Sequence, residues 1–153
     1  MARIRRAAEG DIPALVGMGR AMHDESPHYA SLAFSEAKVE QLIRWMLSAS
    51  ETQCALVAEE SGRIVGMLGG FVSEYFFGHD LVASDYVFYV RPENRGGSSA
   101  VRLLRAFEKW AISAGASEIV PGVSTRLSVA RTEGLYLALG YEKAGVILSK
   151  RIK

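Results

Sequence analysis

The spacing of apolar residues in the first half of the chain changes from alternating to helical and then to continuous runs. Residues 2–7 alternate loosely between apolar and polar side chains, which predicts a short first strand. Two amphipathic helices follow. The first has its apolar face at positions 12, 15, 16 and 22. Ser35 can cap the second helix, whose apolar face consists of Val39, Leu42, Ile43, Met46 and Leu47. Apolar runs at residues 54–59 and 64–72, joined by Ser61-Gly62, predict a β-hairpin.

The second half of the chain alternates predicted strands with predicted helices. An unbroken apolar run predicts a strand at residues 82–90, and a stripe from Ala100 to Ala111 predicts a helix that stops near Gly115. A strand at residues 119–123, a helix at 129–139 and two strands at 141–145 and 146–152 complete the order βααβββαβαββ. Because helices flank the fifth strand, we expect one α/β domain over residues 1–153, with a mixed, partly parallel central sheet flanked by helices.

Composition excludes several classes of protein. The 153 residues include 18 basic and 17 acidic side chains, whereas proteins that bind duplexes usually carry a basic excess, so we expect no nucleic-acid partner. No apolar run approaches the roughly 20 residues of a membrane span, and no apolar signal core follows the charged start, so we expect no membrane association and a cytoplasmic location. The single Cys54 lies in an apolar run, and without a Cys/His cluster we expect no metal site.

Residues 86–100 carry the strongest chemical signal. An apolar strand leads through Pro92 into a run of small residues that opens directly into the next helix: Gly96, Gly97, Ser98, Ser99 and Ala100. Backbone N–H groups at the start of a helix lack helical partners, and the helix dipole favours negative charge there. Because these side chains are small, a phosphate can approach the N–H groups closely. We therefore predict a loop that binds a pyrophosphate.

Other interpretations of this loop fit the sequence less well. A Walker A loop needs Gly-Lys-Ser/Thr after its glycines, and this loop has no lysine. A dinucleotide-binding fold needs Gly-x-Gly-x-x-Gly near the first strand, and this loop lies late in the chain. A strand-to-helix connection that binds nothing remains the plain alternative, because short glycine motifs also occur by chance.

The order of elements and two motifs resemble the GNAT superfamily of acyl-CoA-dependent N-acyltransferases over nearly the whole chain. The first motif is a strand followed by Val90-Arg-Pro-Glu93 and Arg95-Gly-Gly-Ser-Ser-Ala100. The second motif is Leu135-Tyr-Leu-Ala-Leu-Gly-Tyr141. Two positions depart from the family pattern. Ser98 replaces the second loop glycine, which requires that its φ stay negative, and Val129 replaces an asparagine that usually contacts the pantetheine arm.

The resemblance implies an N-acetyltransferase that moves an acetyl or other short acyl group from acetyl-CoA directly to a primary amine. It implies that the backbone of Phe88, Tyr89 and Val90 pairs with the pantetheine arm. It also implies that Arg95 and the N–H groups of residues 96–100 hold the pyrophosphate. Arg102, one turn into the helix, is expected to reach a phosphate of the nucleotide part, and a solvated surface arginine is the alternative for it.

Tyr136 and Asp85 are the catalytic candidates that the resemblance implies. Tyr136 corresponds to the proton donor for the departing thiolate. An unperturbed tyrosine has a pKa near ~10 and a thiol near ~8.5, so full proton transfer is uphill by about 2 kcal/mol. Tyr136 therefore either has a lowered pKa or stabilises the thiolate by a hydrogen bond. Asp85 is the only acid within the fourth strand, but Ser84 stands at the usual position of the base. A strand bulge would restore the register.

The resemblance assigns acceptor binding to two loops of the chain. The candidates there are Glu25, His28 and Tyr75, with Asp24, Tyr29, Phe76 and His79 beside them. Acidic groups attract a cationic amine and aromatic rings flank it, although ordinary polar surface loops have similar compositions. His28 and His79 are alternative bases.

Two further questions stay open at the level of sequence. The short segment after Tyr141 leaves room for a bulky acceptor or for a homodimer. The alternative functions are a non-catalytic acyl-CoA-binding sensor or regulatory module and a protein-interaction subunit with a vestigial site.

Overall fold

A computed structural model describes residues 1–48 and 51–153 of the chain. Within these residues one five-stranded sheet runs in the order β1-β2-β3-β4-β5, and neighbouring strands are antiparallel except β4 and β5, which are parallel. The strands are β1 (Arg3–Arg6), β2 (Gln53–Glu60), β3 (Arg63–Glu74), β4 (Leu81–Val90) and β5 (Ala116–Val120). The helices are α1 (Ile12–Glu25), α2 (Glu36–Leu47), α3 (Ser99–Ser113) and α4 (Val129–Ala138). The mixed, partly parallel α/β sheet is as predicted.

Helices cover both faces of the sheet. Successive side chains of a strand point to opposite faces, and in β2 Leu56 belongs to the core under α3, whereas Val57 belongs to the core under α1 and α2. Helix α2 begins where the sequence predicts, since the Ser35 hydroxyl accepts a hydrogen bond from the Lys38 amide. No helix of the described residues combines the length and the apolar character that crossing a membrane requires.

An extra residue in β4 shifts its register against β3. Gly69 pairs with Val87 and Gly70 pairs with Asp85, so Tyr86 between them forms a bulge. A Cβ atom on Gly70 would lie 2.3 Å from the carbonyl oxygen of Ser84 and 2.8 Å from the ring of Phe107, so only glycine fits there. This is the strand bulge on which the assignment of Asp85 depends.

Strands β4 and β5 pair over a short stretch and then diverge. Their parallel register runs from Leu81 opposite Ala116 to Ser84 opposite Val120. The prediction of the fifth strand at residues 119–123 is wrong by three residues at each end, since the strand runs from Ala116 to Val120. It ends before Pro121, because a proline has no N–H for the ladder. Within the described chain, no strand pairs with this edge of β4 after Ser84.

The two predicted strands at residues 141–145 and 146–152 are wrong, since neither forms a strand in the structure. The two predicted segments abut at Gly145-Val146 and leave no residues for the turn that a hairpin needs. A strand without a neighbour has no ladder to stabilise it. Four large apolar side chains of this segment are exposed: Val146, Ile147, Leu148 and Ile152.

The bulge predicts that Gly70→Ala destabilises the protein, because the new methyl group collides with backbone as well as with Phe107. We expect the free energy of unfolding to fall by about 3 kcal/mol in urea titrations. Gly78→Ala is the matched control, because a Cβ there meets nothing within 4 Å, and its stability should stay within about 0.5 kcal/mol of the parent. Equal stabilities of the two variants would contradict the packing described here.

Candidate functional site

A groove of about 1590 Å³ opens where β4 and β5 separate. One wall is the second half of β4, and the others are the start of α3, the segment after β5, and α4. Phe88, Tyr89 and Val90 pair with β3 along one edge of β4. Their other edge faces the groove and, among the described residues, meets no strand. The backbone that is predicted to pair with an extended ligand therefore lies along the groove.

The loop before α3 presents small residues to this groove. Gly96 has a φ of 94°, and a Cβ on it would lie 3.4 Å from Nη2 of Arg131. Ser98 has a φ of −81°, the negative value that a serine at this position requires. Gly96, Gly97 and Ser98 are exposed. Because α3 begins at Ser99, the N–H groups of its first turn have no partner in the helix. Gly96, Gly97 and Ala100 of this segment line the groove.

The carboxylate of Glu60 at the end of β2 accepts two hydrogen bonds from the segment around the loop. The hydroxyl of Ser99, which is only 1% exposed, donates to Oε1 of Glu60 at 3.1 Å. Nδ2 of Asn94 donates to Oε2 of the same carboxylate at 3.3 Å. The Ser99 side chain therefore shapes the loop from inside, and its contribution to a ligand is limited to the backbone.

Arg95 lines the groove and binds Glu25 at the end of α1. Both guanidinium Nη atoms donate to the Glu25 carboxylate, Nη2 at 2.7 Å, and Nε donates to the carbonyl oxygen of Val90 at 2.9 Å. The Tyr89 hydroxyl donates to Glu25 at 3.2 Å, and the hydrogen bonds from Arg95 lower the pKa of Glu25. Arg95 and Glu25, which both line the groove, thus balance each other's charge.

The cations that line the groove differ from those that the sequence indicates. Arg102 is absent from the groove lining, as are Ser98 and Ser99. Arg131 on α4 lines the groove beside Gly96, and no carboxylate of the described residues forms an ion pair with it. Because Arg131 lies 35 positions after Gly96 in the sequence, only the docking of α4 against the loop reveals this cation.

Asp85 and Tyr136 both line the groove. The Asp85 carboxylate accepts a hydrogen bond from the Gly122 amide at 2.9 Å, and burial raises its pKa. Tyr136 is buried, and its ring contacts those of Phe88 and Tyr141 edge to face. Burial, followed by the nearby Asp85, raises the pKa of Tyr136. A lowered pKa for Tyr136 is therefore wrong for this structure, and the hydrogen-bonding alternative remains.

Two of the three predicted acceptor residues lie outside the groove. Neither His28 nor Tyr75 belongs to its lining within the described chain, whereas Glu25 does. Strands β3 and β4 extend to Glu74 and Leu81, further than predicted, so Tyr75 lies in the hairpin turn and packs against exposed aromatic neighbours. His79 shares this turn and is exposed. Neither Tyr75 nor His79 lines the groove.

Two hydrogen bonds tie the segment after α1 to the segment after β5 across the groove. The buried Ser26 hydroxyl donates to the carbonyl oxygen of Thr125 at 2.6 Å, and the hydroxyls of Tyr29 and Ser124 share a hydrogen bond of 2.5 Å. These partners are 99 and 95 residues apart in the chain, so no local pattern indicates them.

Other chemistry finds little support in the part of the chain that the structure describes. No group of three or more His, Cys, Asp or Glu side chains there is arranged to hold a metal ion. Cys54 is fully buried in β2, and burial raises the pKa of its thiol to about 11. A thiol of this kind is a poor nucleophile at neutral pH.

Comparisons with known proteins agree with this geometry. A sequence model described as the Acetyltransferase (GNAT) family matches residues 17–141. A search of curated protein sequences finds no significant match.

Solved structures with the same fold cover almost the whole chain. A transcriptional regulator from Bacillus halodurans C-125 has a TM-score of 0.80 at 17% identity, with 99% of this chain and 100% of that chain covered. The aminoglycoside N-acetyltransferase AAC(6')-Iy in complex with CoA has a TM-score of 0.78 at 18% identity, with 99% and 94% covered. The aminoglycoside antibiotic 6'-N-acetyltransferase AAC(6')-IG from Acinetobacter haemolyticus has a TM-score of 0.72 at 22% identity, with 99% of both chains covered.

Proposed function

Because the chain belongs to the acetyltransferase (GNAT) family, we propose that it transfers an acetyl group from acetyl-CoA directly to a primary amine. One observation carries the proposal: the unpaired edge of β4 leads straight into the small-residue loop at the start of α3. An extended pantetheine arm suits such an edge, and a diphosphate suits the open N–H groups that follow it. A solved structure of the same fold that contains CoA adds support.

The residues of the groove fit acetyl-CoA in position and charge. The backbone of Phe88, Tyr89 and Val90 would hold the pantetheine arm, and the amides of residues 96–100 would hold the diphosphate. Arg131 beside Gly96 supplies a positive charge that is free of carboxylate partners within the described structure. Val129, which replaces the family's asparagine, lines the same groove with an apolar side chain. When bound, acetyl-CoA supplies an acyl group that is already activated as a thioester.

Asp85 is suited to take a proton from the acceptor amine. Its pKa is raised by burial, and a base is most effective when its pKa lies closer to the working pH. A backbone N–H on the open edge of β4 would polarise the thioester carbonyl, as in an oxyanion hole. The Tyr136 hydroxyl would donate a hydrogen bond to the sulfur as the thiolate leaves, and its raised pKa keeps the phenol protonated for that purpose.

The direct test measures acetyl-CoA binding and acetyl transfer to a panel of amines. We expect thermal stabilisation by acetyl-CoA and production of free thiol that depends on an amine. Tight binding without transfer to any amine would favour the non-catalytic sensor. Absence of binding would favour a vestigial site.

Tyr136→Phe should reduce kcat by about 10- to 100-fold, because a hydrogen bond to a charged group contributes about 1.5–3 kcal/mol. The KM for acetyl-CoA should change little, since the thiolate forms only during the reaction. Tyr141→Phe is the matched control, because it removes a hydroxyl from the neighbouring ring in the same groove. If the control lost as much activity as Tyr136→Phe, or if neither variant lost any, the role of Tyr136 would be refuted.

Asp85→Asn should reduce kcat by about 100-fold or more, because the amide cannot accept the proton. In the parent enzyme the rate should fall as the pH falls through the raised pKa of Asp85, since only the carboxylate acts as a base. The variant should lack this descent in the pH–rate profile. Asp80→Asn, an exposed acid before β4, should keep the parent's rate and profile. A parental rate and profile in Asp85→Asn would exclude Asp85 as the base.

Arg131→Gln should raise the KM for acetyl-CoA by about 10-fold or more, since it removes a charge-assisted contact to phosphate. The increase in KM should be smaller at high salt, where charges are screened. Arg102→Gln is the control, because Arg102 lies on α3 outside the groove lining. The opposite ranking of the two variants would restore Arg102 as the phosphate contact.

A further inference from the structure

A second cavity, apolar and about 160 Å³ in volume, lies between the helices α1 and α2 and the sheet. Helix α1 contributes Leu15 and Gly19, helix α2 contributes Val39 and Leu42, and β4 contributes Val87. No charged side chain belongs to the lining in the described structure. Among the described lining residues, the only side-chain polar groups are the hydroxyls of Tyr29 and Tyr86.

This cavity adjoins the groove of the proposed acetyltransferase site. Met22, Tyr29 and Tyr86 line both spaces. Tyr86 is the bulged residue of β4 and directly follows Asp85, the proposed base. A molecule whose amine lies beside Asp85 can therefore extend past Tyr86 into the cavity.

The size and lining of the cavity specify what fits. Protein cores are close-packed and hold few voids larger than a water molecule. An apolar cavity of roughly 150 Å³ stays dry and accepts benzene, so this cavity matches a phenyl ring. A sugar ring with hydroxyl and ammonium groups would lose its hydration here without gaining partners. The carboxylate of Glu25, which could attract additional positive charge, is already paired with Arg95.

We propose that the acceptor is a monoamine with an apolar group of about phenyl size, and that this group occupies the cavity. The proposal rests on the proposed acetyltransferase function and deepens it by naming the class of acceptor. In the reaction the C–N bond forms and the C–S bond breaks. One proton leaves the amine for Asp85, which returns it to solvent, and the departing thiolate takes one proton from solvent, so the products are an amide and a free thiol.

The test compares 2-phenylethylamine with ethylamine, which lacks the ring, and with tobramycin as a polycationic amine. We expect kcat/KM for 2-phenylethylamine to exceed that for ethylamine by about 10- to 100-fold, as burial of the ring predicts. Benzene should inhibit acetylation of 2-phenylethylamine and leave that of ethylamine unaffected. Equal kcat/KM values for the first two amines, or a preference for tobramycin, would overturn the proposal.

Gly19→Leu fills the cavity and gives a second test. Gly19 and Val39 both line the cavity, and a Cβ on Gly19 would lie 3.3 Å from Cγ1 of Val39. A Cβ on the exposed Gly17 meets nothing within 4 Å, so Gly17→Leu is the matched control. We expect Gly19→Leu to raise the KM for 2-phenylethylamine at least 10-fold while the KM for acetyl-CoA stays unchanged, and Gly17→Leu to change neither. An unchanged KM for 2-phenylethylamine in folded Gly19→Leu would overturn the proposal. If Gly19→Leu does not fold, the inhibition of the parent protein by benzene tests whether the ring occupies the cavity.

A direct binding measurement separates this proposal from the proposed function. If the parent protein acetylates none of the three amines, the acetyltransferase function fails, and saturation-transfer NMR with 2-phenylethylamine then tests the cavity alone. Binding that benzene displaces, and that ethylamine does not, supports the cavity as an apolar binding site. No binding, or binding that benzene does not displace, overturns it.

Discussion

The loss of a strand neighbour beside β4 after Ser84 is the constraint on which the site depends. Backbone N–H and C=O groups need partners, and in the interior of a sheet the next strand supplies them. Here other groups supply two of these contacts: Arg95 donates to the Val90 carbonyl, and Asp85 accepts from the Gly122 amide. Pro121 ends β5 and so allows the strands to separate. The remaining edge has no neighbouring strand among the described residues, and such an edge suits an extended ligand.

The bulge at Tyr86 connects this open edge to the chemistry proposed for it. Glycine at position 70 allows Ser84 and Phe107 to approach β3 closely, and the extra residue in β4 follows from that pairing. Asp85 then lines the groove, while Tyr86 lines both the groove and the apolar cavity. One local irregularity thus positions the candidate base and the entrance of the candidate acceptor site. Glu25 and Arg95 hold the end of α1 against β4 and so keep the cavity adjacent to the groove.

Much of the fold could be predicted because local patterns determine it. The cap at Ser35, the Ser61-Gly62 turn and the small-residue loop before α3 are short-range features, and the structure has each where the sequence indicates. The prediction of two terminal strands is wrong because a strand needs a neighbouring strand to pair with, which the alternation of apolar and polar residues does not reveal. The ion pair of Arg95 with Glu25 and the position of Arg131 beside Gly96 join distant parts of the chain. The sequence therefore indicates the residue types near the loop but does not reveal which distant side chains they contact.

The central claim is that the open edge of β4 and the loop after it form one binding surface for acetyl-CoA. A crystal structure with CoA bound tests it most directly. The account predicts that the pantetheine arm hydrogen-bonds to the backbone of Phe88 to Val90 and that the diphosphate contacts the amides of residues 96–100. CoA bound elsewhere, or a groove filled by the chain's own residues 141–153 in the presence of saturating CoA, would contradict it.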